Sequence, residues 1–109
     1  MLPLELQTPA EILEDIGRRA QVLRVERGWT QRELSRRSGV ALTTLKQFER
    51  TGKITLERLI TIAVVLGAVR PLGDLFSPGP ARTLDELERR ATLPKRAPRT
   101  RRKARDAQA

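Results

Sequence analysis

Residues 30–50 read TQRELSRRSGVALTTLKQFER, and the fold turns on how this stretch is parsed. Thr30, Gln31, Arg32 and Glu33 have the order of a capping box, in which the threonine hydroxyl accepts the N–H three residues on and the glutamate reaches back to the cap's own N–H. A helix is therefore expected from Gln31, with Leu34 turned inward and Arg32, Arg36 and Arg37 outward. Ser38, Gly39 and Val40 then predict a bend, because tight turns between helices often need a positive φ that only glycine adopts without steric cost. A second helix follows over residues 42–50, with Leu45 and Phe48, three apart, on its inner side.

Working outward toward the N-terminus, Thr8-Pro9-Ala10-Glu11 is another helix start, with proline at the first helical position. Ile12, Ile16, Ala20 and Leu23 recur at spacings of three and four, broadened by Leu13 and Val22, until Gly28 supplies a stop. Leu2, Leu4 and Leu6 alternate as they would on one side of an extended arm, which either packs on the domain or a second copy, or frays.

In the other direction, Thr51-Gly52-Lys53 reads as a loop, and Thr55 caps a helix that runs to Leu66 before Gly67 ends it. Leu56, Leu59, Ile60 and Ala63 are its expected core stripe. Ile62 and Val65 then form a second apolar face, to be covered by another chain or by a fifth helix over residues 71–76 with Leu72, Leu75 and Phe76 inward. Ser77-Pro78-Gly79-Pro80 cannot continue a helix, so the domain is expected to end there. A third capping box at Thr83 predicts a short amphipathic helix before Pro94, with Leu84 and Leu87 as its apolar pair. The expected organisation is an arm at 1–7, an all-α domain at 8–77, a linker and short helix at 78–93, and a disordered basic tail at 94–109.

A chain of 109 residues is about one small domain, and only 3% of it is aromatic, so its core must come from Leu, Ile, Val and Ala. Lys and Arg number 22 against 13 Asp and Glu, a formal charge of +9 that favours a polyanionic partner. Residues 94–109 hold seven basic side chains and one acidic, so the tail carries most of that excess. Histidine and cysteine are absent, which removes disulfides, the usual metal ligands, the commonest general base and a thiol nucleophile. No enzyme activity, cofactor or metal is therefore expected. No apolar run approaches the ~20 residues of a membrane span, and a cytoplasmic location without membrane association is the expectation.

Gln31, Leu34 and Ser35, then Gly39 and Val40, then Leu45, Phe48 and Glu49, preceded by Gly28-Trp29-Thr30, resemble the helix-turn-helix motif of the Cro/C1-type (XRE) transcriptional regulators. The likeness covers roughly residues 10–76. It implies a five-helix lambda-repressor-like DNA-binding domain, to which the short helix and basic tail are additions. Alanine is usual at the place of Ser35, and serine or threonine is common at that of Ala41, so the capping of the second motif helix is open. The resemblance places Ala41, Leu42, Thr43, Lys46 and Gln47 on the side facing the major groove. There Gln47 suits adenine, Lys46 a guanine or a phosphate, and Thr43 or Leu42 a thymine methyl. Gln31, Arg32, Arg36, Arg50 and Lys53 are expected on phosphates, with ordinary surface charge the alternative for Arg36 or Lys53. Arg24 and Glu49 fall where related domains have a buried ion pair, and Trp29 is expected in the core rather than as a stacking platform.

These expectations describe a sequence-specific regulator, a repressor of its own operon, that binds a palindromic double-stranded DNA operator as a homodimer. Residues 28–40 and 44–59 are similar to HipB-type antitoxins, which would add a HipA-type kinase as partner. Two other functions remain open: a non-specific nucleic-acid module driven by the tail, and a protein-interaction adaptor.

Overall fold

The computed structural model describes residues 2–94, which contain five α-helices, two short 3-10 turns and no strand. They are α1 (Pro9–Glu26), α2 (Gln31–Ser38), α3 (Leu42–Thr51), α4 (Leu56–Leu66) and α5 (Leu84–Ala91), with 3-10 turns at Leu4–Leu6 and Arg70–Asp74. The chain divides into two units, residues 1–76 and 77–109. The tail from residue 95 on, expected to be disordered, lies outside the described residues.

Threonine begins four of the five helices. Thr8, Thr30, Thr55 and Thr83 each accept the backbone N–H three residues on, which satisfies one of the donors a helix start leaves unpaired. Only at Thr8 does the glutamate return the bond, its Oε1 accepting from the Thr8 N–H at 3.3 Å. The reciprocal half expected at Thr30 is missing because the Glu33 carboxylate is drawn instead to Arg36 and Arg37. At Thr83 the partner glutamate accepts from the Arg82 N–H.

The core of the first unit joins Leu34 of α2, Val40 of the turn, Leu45 and Phe48 of α3, and Ile62 and Leu66 of α4. Ile16, Ala20 and Leu23 close it from α1, with Trp29, Ile54, Leu59 and Val65 around the edge. Burying each of the large side chains stabilises the fold by roughly 1.5–3 kcal/mol. The last turn of α3 lies hard against α1. A methyl group on Gly17 would overlap the Phe48 carbonyl oxygen, and one on Gly52 would overlap the Leu13 backbone. Two residues without side chains thus set the distance between α1 and the end of α3.

Three expectations need correction. The inner face of α4 is Leu59, Ile62, Ala63 and Leu66, while Leu56 and Ile60, assigned to the core, are exposed together with Val64. Both faces of this helix are apolar, so periodicity cannot choose between them; contact with α1 and α2 does. The expected fifth helix of the domain is only the 3-10 turn at Arg70–Asp74, and Leu75 and Phe76 face solvent. Pro71 and Gly73 within that segment disfavour a longer α-helix. The N-terminal arm is not extended: Leu4–Leu6 forms a 3-10 turn, Gln7 Nε2 donates to the Leu2 carbonyl at 2.8 Å, and Leu2, Leu4 and Leu6 are all exposed.

The second unit consists of α5 and the chain leading into it. Arg90 donates to the Pro78 and Gly79 carbonyls and to Glu86, which ties the proline-glycine segment to the helix. Leu84 and Leu87 are exposed on α5. No helix among the described residues is long and apolar enough to cross a membrane.

Candidate nucleic-acid interface

The turn between α2 and α3 is held by short-range chemistry. Gly39 takes φ 76°, a left-handed conformation, and its N–H donates to the Ser35 carbonyl at 2.9 Å. The Ser35 hydroxyl donates to the Val40 carbonyl at 2.6 Å, and the Ser38 hydroxyl accepts from the Val40 N–H at 3.1 Å. Alanine at position 35 could not make the first of these bonds. Serine here is small enough for helix contact and also closes the bend, a role that spacing alone did not reveal.

Below the turn, a buried ion pair fixes both helices to α1. Arg24 is 8% exposed and Glu49 6%. Arg24 Nε donates to Glu49 Oε2 at 2.7 Å and Nη2 to Oε1 at 3.0 Å, a two-pronged pairing that suits a planar guanidinium. The third nitrogen, Nη1, donates to the Trp29 carbonyl at 2.7 Å. Gln31, the first residue of α2, donates from Nε2 to Glu49 Oε1 at 3.1 Å. One carboxylate therefore links α1, α2 and α3, and the ion pair inferred by resemblance is present. Gln31, expected on a phosphate, is in this structure also part of that internal network.

With Leu45, Phe48 and Glu49 buried, the opposite side of α3 faces outward. Thr43, Lys46, Gln47 and Arg50 are exposed at helical spacings of three and four, and together they line one open recess. Leu42 is half-buried at the start of this face, and exposed Ala41 caps the helix without a side-chain hydrogen bond. Arg32 and Arg36 are exposed on α2, and Lys53 is exposed just beyond α3. The side chains expected on bases and those expected on phosphates are thus mostly at the surface, the former concentrated on α3 and the latter on α2 and both ends of the loop after α3.

Charge on α2 is organised by Glu33, which accepts from Arg36 at 2.6 Å and from Arg37 at 2.8 Å. The Arg36 hydrogen bond leads the causes that hold the Glu33 carboxyl below its ordinary value, and the same bond raises Arg36. Because the folded-state value is lowered, the stabilisation from this carboxylate is complete above about pH 4.5 and is lost as the pH falls through the folded value. We expect an NMR titration of the Glu33 carboxyl to show a lowered midpoint that rises toward the ordinary value in Arg36→Ala, with Arg37 still holding part of the depression. An unchanged midpoint in that variant would contradict the pairing. Exposed pairs of this kind are worth little, so Arg36 is available to exchange Glu33 for a phosphate. Trp29 is half-buried against the core, as expected, yet it also has a stacking partner: the Arg37 guanidinium lies 4.4 Å from its ring centroid, and Arg27 lies at 5.8 Å.

A family model described as helix-turn-helix (HTH_3) matches residues 21–72, which run from within α1 through α4 into the following 3-10 turn. Residues 21–72 are a Cro/C1-type helix-turn-helix domain. The comparison with curated proteins finds no match. The match supports a DNA-binding helix-turn-helix regulator, the helical domain is consistent with a lambda-repressor-like fold, and α2 and α3 are the two helices of the motif. In such a domain the second motif helix fits the major groove while the first crosses the backbone.

Proposed function

We propose that the protein is a sequence-specific transcriptional repressor that inserts α3 into the major groove of a palindromic operator as a homodimer, and that it represses its own operon. The observation that carries this reading is the outward face of α3. Thr43, Lys46 and Gln47 are exposed side by side on a helix whose other side is anchored by Leu45, Phe48 and the Glu49 ion pair. A rigidly held helix with free polar side chains is what reading base edges requires. Arg32, Arg36, Arg50 and Lys53 then supply charge to the phosphates on either side, with Gln31 at the start of α2. The 8–77 domain and its arm would act as the reader, and the segments beyond it as accessories.

Selection from a random duplex pool should enrich a two-fold symmetric sequence. On that sequence, Gln47→Ala should lose about 1–3 kcal/mol of discrimination at one base pair in each half-site. Arg32→Ala should instead weaken binding to all sequences alike and reduce the salt dependence by about one unit of slope. A pool that yields no preferred sequence would overturn the specific reading in favour of the second one, tail-driven binding, which the seven basic residues of 94–109 support. The HipB-like stretch adds the proposal that a HipA-type kinase binds this protein; co-purification with the neighbouring gene product tests it without bearing on the repressor reading.

A further inference from the structure

Arg32 and Arg36 stand one helical turn apart on the exposed side of α2, and they differ in one respect. Among the described residues, Arg32 has no carboxylate within ion-pairing distance, and neither do Lys46, Arg50 and Lys53. Arg36 has one: the Glu33 carboxylate accepts from its Nε at 3.1 Å, through Oε2, and from its Nη2 at 2.6 Å, through Oε1. The same Oε1 accepts from Arg37 Nε at 2.8 Å, and Arg37 is held a second time by the Trp29 ring. Of the basic side chains assigned to phosphates, Arg36 is thus the one that carries its own counter-charge. Glu33 meanwhile leaves a bond unmade. Thr30 Oγ1 accepts from the Glu33 N–H at 3.1 Å, but the return bond from the Thr30 N–H is missing, whereas Thr8 and Glu11 make both halves.

We propose that Glu33 sets the specificity of the DNA interface by competing with phosphate for Arg36: the pair stays closed on non-operator DNA and opens only on the operator. This rests on the reading above, in which α3 enters the major groove of an operator. In a non-specific complex the helices are held by charge across water, and screening over about 8 Å at physiological salt leaves a distant phosphate weaker than a carboxylate already in contact. Arg36 then stays on Glu33 and adds little to affinity. When α3 is fully seated, α2 is brought against the backbone, and a phosphate in direct contact gives the guanidinium two charge-assisted bonds in place of the two it had with Glu33. The exchange strands no charge. Glu33 keeps Arg37 on Oε1, and the freed Oε2 has the Thr30 N–H as a new donor, the arrangement the chain already uses at Thr8 and Glu11. Arg37 does not follow Arg36, because Glu33 and the Trp29 ring hold it from two sides.

The test compares the full chain with Glu33→Gln, Arg36→Ala and the double variant, on the selected operator and on a random duplex, over a salt series. Circular dichroism reports folding separately, and glutamine keeps an oxygen for the Thr30 N–H. Glu33→Gln should bind the random duplex on the order of tenfold more tightly, with a salt slope steeper by about one. Its operator affinity should stay within about threefold of wild type at an unchanged slope, so that discrimination falls. Arg36→Ala tests the same point with Glu33 intact: unlike Arg32→Ala, it should weaken operator binding on the order of tenfold and leave random-duplex binding within about threefold of wild type. The double variant should bind the random duplex as wild type does. Equal gains on both duplexes in Glu33→Gln, or a gain that survives Arg36→Ala, would mean that Glu33 acts only through net charge; either overturns the competition and leaves sequence-specific binding standing. An Arg36→Ala loss that is the same on both duplexes overturns it as well. A pool with no preferred sequence removes the operator reading, and the competition with it.

Discussion

Gly52→Ala should leave the helix-turn-helix unit close to the limit of folding, with a loss of about 3 kcal/mol or more. Two effects add. Gly52 has φ 79°, where a residue with a Cβ is disfavoured by roughly 1 kcal/mol or more. The new methyl would also overlap the Leu13 backbone, and neither backbone can rotate out of the way as a side chain could. Either α1 or the end of α3 must move, and both carry the core. Against a total of roughly 5–10 kcal/mol for a domain of this size, the melting temperature should fall by at least about 12 °C. Gly39→Ala is the control, because its φ is 76° but nothing lies within 4 Å of a methyl there. It should cost only the conformational term, about 1 kcal/mol. Urea unfolding of the two variants decides the matter, and equal losses would mean that the approach of α3 to α1 is not tight.

Glu49→Ala should cost about 3–5 kcal/mol, because it leaves the Arg24 guanidinium buried without its counter-charge. The Gln31 amide loses an acceptor in the same step. Replacing both members of the pair, as in Arg24→Met with Glu49→Leu, should recover a large part of the loss, since the penalty comes from the stranded charge rather than from the missing attraction. The double-mutant cycle measures this directly, and additive losses would contradict it. The double variant should nevertheless bind DNA less well than its stability suggests. Glu49 joins α1, α2 and α3, and a nonpolar replacement cannot hold Gln31 at the start of α2.

Local chemistry was largely legible in the sequence. Thr8, Thr30, Thr55 and Thr83 mark helix starts because a hydroxyl three residues before an N–H is a short-range arrangement that needs no knowledge of the fold. Leu34, Leu45 and Phe48 were likewise readable as core, since each lies on a helix with one clear apolar side. Where a helix had two apolar sides, the reading failed: α4 turns Ile62 and Leu66 inward and leaves Leu56 and Ile60 outside, a choice made by its neighbours. Leu75 and Phe76 were misread for a related reason. The apolar residues after Pro71 offer one of two covers for the second face of α4, the other being another chain, whereas a 3-10 turn and a left-handed residue carry Leu75 and Phe76 away from it. The exposed side chains of α3 were readable from the motif, but the link from Gln31 to Glu49 spans 18 positions and exists only once three helices have met.

Trp29 gives this molecule an optical handle. It is the single tryptophan in the chain, so the indole emission of the whole protein comes from one place, the bend where α1 hands over to α2. Its ring is covered by the guanidinium of Arg37, and its carbonyl is held by Arg24. The fluorophore therefore touches a cation on the first motif helix, α2, and, through its backbone, the arginine that anchors Glu49. A spectral change at this one residue reports on how the first motif helix is seated, in unlabelled protein and without altering any side chain.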